Sequence, residues 1–175
     1  ELRGLTAVRR YGSPVLLLEQ DRARWDRLQI QRGLTALTRA QRLGGAEGPY
    51  TLQAAIAACH ARAAHAEDTD WTRIAALYTT LAQVRPSPVI ELNRAVAIGK
   101  AHGAAPALAL VDALCESGAL RDYGLLFAVR GDLLEQSARH GEARIEFERA
   151  AALATNARDR ALMRARADAC GISMA

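Results

Sequence analysis

The sequence predicts an all-α protein built from antiparallel helix pairs stacked in a row. Three observations carry this expectation. Apolar residues recur at helical spacing through most of the chain, and proline, glycine and capping residues punctuate them at short intervals. One pattern of a small or apolar, a bulky and a further apolar residue also returns at steps of 33 and 36 residues. Half of the 175 residues are hydrophobic but only 5% are aromatic. Alanine supplies much of the apolar share; it is the best helix former, and its small side chain lets helices approach closely.

Residues 1–20 read as a junction segment and residues 21–175 as one helical domain. Leu2, Leu5 and Val8 make a short stripe ended by Gly12-Ser13-Pro14, and Val15–Leu18 is a brief apolar run. Asp21 is placed to cap a helix running to about Leu43. Ile30, Leu34 and Leu37 share one face of it, with Trp25 and Leu28 beside them. Gly44-Gly45 and Gly48-Pro49 end that helix and start the next, where Leu52, Ile56, Cys59 and Ala63 form a clear stripe. Glu67, Asp68, Thr69 and Asp70 supply cap candidates for a helix burying Trp71, Ile74, Tyr78 and Leu81.

Arg85-Pro86-Ser87-Pro88 then forms a sharp turn. Pro86 stops one helix, Ser87 caps the next, and Pro88 occupies a first helical position where its missing N–H costs nothing. Val89, Leu92 and Val96 mark that next helix, ending near His102-Gly103. Pro106 lies early in the following one, which carries Leu108, Val111 and Leu114 and closes at Gly118. Leu120, Tyr123, Phe127, Gly131 and Leu134 mark a further helix ending near Ala138–Gly141, and Ala143, Phe147, Ala150 and Ala154 mark its partner. Asn156 with Asp159 caps a last helix reaching about Cys170.

The repeating pattern is Ile74/Tyr78/Leu81, then Ala107/Val111/Leu114, then Ala143/Phe147/Ala150, with Phe127 and Gly131 in the helix before the third copy. This is the spacing of the tetratricopeptide repeat, and Pro86 stands where that repeat places its closing proline. Each pair leaves an apolar face that only a stacked neighbour buries. About three repeats between capping helices would form a short right-handed solenoid or compact bundle. Its concave face would be lined by the first helix of each pair.

Net charge is +4, concentrated at the N-terminal end: residues 1–42 hold nine arginines against four acids, net +5. A basic face can meet nucleic acid or an acidic protein surface, and it can equally be a solvated helix face. Lys100 is the single lysine. Cys59, Cys115 and Cys170 are far apart without ligand spacing, so free thiols are expected, and neither zinc nor disulfides. No apolar run is long enough to span a bilayer, and no signal peptide is visible.

Cys59-His60 resembles a nucleophile beside a base, but helix neighbours point about 100° apart, so a core cysteine and a surface histidine are expected. His65, His102 and His140 are isolated, two of them near expected helix ends where a cation suits the dipole. Glu67, Asp68 and Asp70 read as caps rather than a cation site, and Gly44-Gly45 lacks the setting of a phosphate loop. No catalytic, metal-binding or cofactor-binding residue is expected, and no small-molecule substrate. The candidate partner contacts are Arg22, Arg24 and Asp26 near the junction, with Asn93 and Arg94 on the presumed concave face.

Several strings together resemble the C-terminal extension of a group of bacterial RNA polymerase sigma factors of the extracytoplasmic-function type. They are LLLEQDRARWD (16–26), GPYTLQAAIAACHA (48–61), EDTDW (67–71), PSPV (86–89), LNRAVA (92–97) and ALVD (109–112). The resemblance covers roughly residues 14–170, and residues 1–13 depart from the pattern. It implies a cytoplasmic transcription-initiation factor whose promoter-binding domains lie outside this chain. Those domains in the same full-length protein would meet core polymerase and promoter DNA. The extension would serve regulation by protein contact, with a small DGPF/YCII-like protein as a possible partner. The alternative expectation is a free-standing scaffold whose groove binds a peptide or protein unrelated to transcription.

Overall fold

The computed structural model describes residues 9–10, 13–14 and 20–172. A two-residue strand β1 (Arg9–Arg10) pairs antiparallel with β2 (Ser13–Pro14). The Leu2/Leu5/Val8 stripe and the Val15–Leu18 run lie outside the described residues.

The rest of the described residues are mostly helical. A single 3-10 turn, Arg22–Arg24, precedes α1 (Arg27–Ala40), and a π-type turn, Gln41–Gly45, follows it. Then come α2 (Pro49–Arg62), α3 (Trp71–Val84), α4 (Pro88–His102) and α5 (Ala104–Ser117). The described residues end in α6 (Gly124–Gln136), α7 (His140–Leu153) and α8 (Ala157–Ile172).

Local chemistry sets these boundaries. Pro49 and Pro88 open their helices from the first turn. Asp70 accepts a bond from the Arg73 amide at 2.9 Å and so caps α3. Asn156 accepts from the Asp159 amide at 2.8 Å while its own amide donates to the Asp159 carboxylate at 2.6 Å, a reciprocal cap on α8. Gly118 closes α5 in the left-handed region, at φ 67°.

Several expectations shift. Asp21 caps only the 3-10 turn, and Asp26 caps α1 by accepting from the Gln29 amide at 3.0 Å. The helix therefore starts later than expected; Trp25 lies before it, buried, and Leu28 is exposed. Ser87 occupies the cap position without a side-chain bond, and Val89 is exposed while Ile90 faces the core. Leu120 and Tyr123 precede α6 instead of belonging to it. His140 opens α7 rather than ending a helix.

Each helix packs on the next in sequence, and α4 also touches α6. That pattern is a stack of helix pairs, in which a first helix meets both its partner and the first helix of the following pair. The core runs through two large apolar clusters. One spans α4 to α8 around Phe147, Leu134, Leu126 and Val111; the other joins α2, α3 and α4 around Ile74, Leu81, Leu52 and Ile56. Ala97 belongs to the second cluster, and Ile98 packs against both.

All three copies of the repeat pattern point inward. Ile74 and Leu81, Ala107 and Val111, and Ala143, Phe147 and Ala150 are buried. Ion pairs then tie neighbouring helices together. Arg130 of α6 bonds Asp112 of α5 at 2.8 Å and the buried Glu146 of α7 at 2.7 Å. Arg166 of α8 reaches Asp132 and Glu135 of α6, and its guanidinium lies over the Phe147 ring, 4.2 Å from the centroid.

Candidate interaction face

The stack presents the first helices of its pairs, α4 and α6, side by side. Along α4, Asn93, Val96 and Lys100 fall at i, i+3 and i+7, so they share one side of the helix. Val96, Gly99 and Lys100 form one wall of a cleft of about 90 Å³; Val129, Asp132, Leu133 and Gln136 of α6 form the other. The cleft is narrow because the two helices approach closely: a Cβ added at Gly99 would meet Leu133 at 3.0 Å. Asn93 is half-buried and Lys100 exposed. Arg94, one residue round the helix, is half-buried and tied to Glu91 at 2.7 Å, an ion pair within one turn of its own helix. On the far wall, Asp132 is held by Arg166.

The N-terminal candidates separate. Arg24 and Asp26 are exposed, and Asp26 is committed to capping α1. Arg22 is no surface contact, since only 3% of it is exposed. Its guanidinium donates to the carbonyls of His60 at 2.9 Å and Ala63 at 3.1 Å and to the Thr69 hydroxyl at 3.0 Å. The cation thus closes the C-terminal end of α2, where unpaired carbonyls and the dipole favour positive charge. It also lies 5.2 Å from the centroid of the Trp25 ring. Nothing in the order of residues distinguishes Arg22 from Arg24; the 3-10 turn turns one inward and the other out.

Cys59 is buried as expected, but His60 is buried too, contrary to the expected surface position. It packs edge-on against Trp71, ring centroids 5.3 Å apart, and its Nδ1 has no hydrogen-bond partner. Burial pushes the Cys59 thiol up, away from the thiolate a nucleophile needs. Burial, with the Arg22 charge adding to it, holds His60 below its ordinary value of 6.5. The unfolded chain therefore binds a proton that the folded one refuses. Stability is expected to fall as pH drops below about 6.5, with a slope bounded by one proton from this residue. Urea titrations between neutral and acidic pH check this. His60→Gln should flatten the dependence, and an unchanged slope in that variant would exclude His60 as its source.

A crevice of about 360 Å³ beside Cys59 is lined by Arg62, Asp68, Asp70 and Arg73 among others. Asp68 and Asp70 there serve backbone amides, of His65 at 3.2 Å and of Arg73 at 2.9 Å. Among the described residues no group of three histidine, cysteine or acidic side chains is arranged to hold a metal ion, and no helix is long and apolar enough to cross a membrane.

An uncharacterised protein of Rhizobium meliloti (strain 1021) is 48% identical over 157 residues, which is 90% of this chain and 36% of that protein. The chain thus spans about a third of the length of the relative it matches. No family model and no solved structure matches the chain.

Proposed function

We propose that this helical stack is a protein-interaction domain of a bacterial sigma factor of the extracytoplasmic-function type, serving transcription initiation through contacts rather than chemistry. The observation that carries the reading is the pairing of a tetratricopeptide-like stack with the six sequence strings that resemble this sigma-factor extension. EDTDW, PSPV and LNRAVA occupy defined structural posts: the cap and start of α3, the turn into α4, and the helix that walls the cleft. The relative's greater length agrees with a domain that works as part of a larger chain.

On this reading the α4–α6 face, with Asn93 and Lys100, receives either the promoter-binding domains of the same protein or a separate cytoplasmic regulator such as a DGPF/YCII-like protein. The test is transcription from a cognate promoter by the full-length factor with and without this domain. Altered output or lost response to the partner is expected in the truncated factor; unchanged output and response would overturn the proposal. An open reading frame without sigma domains would instead favour a free-standing scaffold.

A further inference from the structure

The first helix is held unlike those of the central stack. Of its fourteen residues only Leu37 is buried, against six buried residues in α2 and five in α6. Its packing rests on a small patch in which Leu34 and Leu37 meet Ala55, Ala58 and Leu77. Beyond the Asp26 cap, its own sequence carries features that weaken a helix. Arg27 sits in the first turn, at the positive end of the dipole, beside that cap and with no acid inside the turn itself. Gly33 lies mid-helix facing open space, which weakens a helix relative to alanine. Thr35 and Thr38 turn their hydroxyls back onto the carbonyls of Gln31 and Leu34.

Both ends of this element are distinctive. After α1 the chain runs through the π-type turn, where Gly44 has φ 83°, and on to Gly48. Such a turn absorbs a change of direction with little steric cost. Before α1, the Arg22 guanidinium supplies three hydrogen bonds from one side chain to the end of α2 and the loop beyond it.

We propose that residues 20–45 form a hinged arm, latched by Arg22 and pivoting at Gly44-Gly45, which opens as a unit and uncovers the Ala55–Ala58–Leu77 strip while the stack from α4 to α7 stays folded. The latch has opposing contributions. Three bonds hold it shut, but the charge is taken out of water and Nε has no partner. Desolvation accordingly lowers the Arg22 pKa, opposed by the nearby Asp68 and Glu67 carboxylates.

Amide hydrogen exchange on the whole chain tests this. The α1 amides should exchange through an opening separate from that of α4–α7. Arg22→Gln should speed α1 exchange about 10- to 100-fold, the worth of hydrogen bonds to a charged group, with α4–α7 unchanged. Gly33→Ala, at a position with nothing within 4 Å, should slow α1 exchange about two- to fivefold through helix propensity alone. Exchange of α1 in step with α6 in the parent chain, or a change in all helices together in the Gly33→Ala variant, would overturn the proposal. Should Arg22→Gln fail to fold, Gly33→Ala still decides, because it removes no contact.

Discussion

Replacing Phe147 by alanine is expected to cost about 3–5 kcal/mol. The ring is fully buried at 0% exposure, in the cluster that joins α4 through α8. Its removal leaves a cavity between helices whose approach the ring sets, and it strips Arg166 of the aromatic face beneath its guanidinium. The ring is also the reason position 131 is glycine. A Cβ built on Gly131 would lie 2.6, 2.8 and 2.9 Å from three atoms of the Phe147 ring, far inside van der Waals contact. Gly131→Ala should therefore destabilise by about 1–3 kcal/mol through overpacking. The two sites are coupled: Phe147→Leu should relieve part of the Gly131→Ala cost. Thermal and urea unfolding of the single and double variants measures all four corners of the cycle. Strict additivity would show that the ring and the glycine do not hold each other in register.

Arg130→Met should cost about 3 kcal/mol, in the range for breaking a buried ion pair by removing one partner. The Glu146 side chain is only 4% exposed and keeps one oxygen, Oε2, without any partner even in the intact structure. Without Arg130 its carboxylate retains Arg149 at 3.2 Å, a side chain 59% exposed and so largely screened. Asp112, the other partner of Arg130, is 41% exposed and can turn to water. The cost therefore falls on Glu146. Changing Glu146 to Met in the Arg130→Met background should recover most of the loss, because two apolar side chains replace a buried charge left with only the screened Arg149. Denaturant unfolding decides. A loss below about 1 kcal/mol in the single variant would mean that Arg149 or solvent already satisfies the carboxylate.

Among the described residues, helix number, order and most ends were legible because they depend on local chemistry. Gly48-Pro49, Asp70, Ser87-Pro88, Gly118 and Asn156 act within a few residues of themselves, through φ restriction or bonds to the next turn. The repeat pattern was legible for a related reason. Ala143, Phe147 and Ala150 share a face whatever they pack against, so their spacing announces an interface before its partner is known. The start of α1 was misplaced because Asp21 and Asp26 are both able caps five residues apart, and each caps something. Their sequence alone does not say which begins the longer helix.

The candidate face depends on which helices lie side by side. Asn93 and Arg94 were expected on a concave face because α4 is the first helix of a pair, and both are half-buried, whereas the α4–α6 cleft exists only because α6 lies alongside α4. Arg22 shows the limit most plainly. As a letter it belonged with Arg24 in a basic, surface-like run, and His60 looked like a polar residue on a helix flank. Arg22 is buried because carbonyls at the end of α2, about 40 residues further along the chain, take its hydrogen bonds, and His60 is buried because Trp71 of the next helix packs edge-on against it. By itself the sequence determined an all-α stack of helix pairs with a recurring inward stripe, since periodicity and capping are short-range. Only the tertiary structure decided which charges are ties and which are surface. A guanidinium's role depends on whether carbonyls, carboxylates or water surround it, and those neighbours arrive from distant parts of the chain.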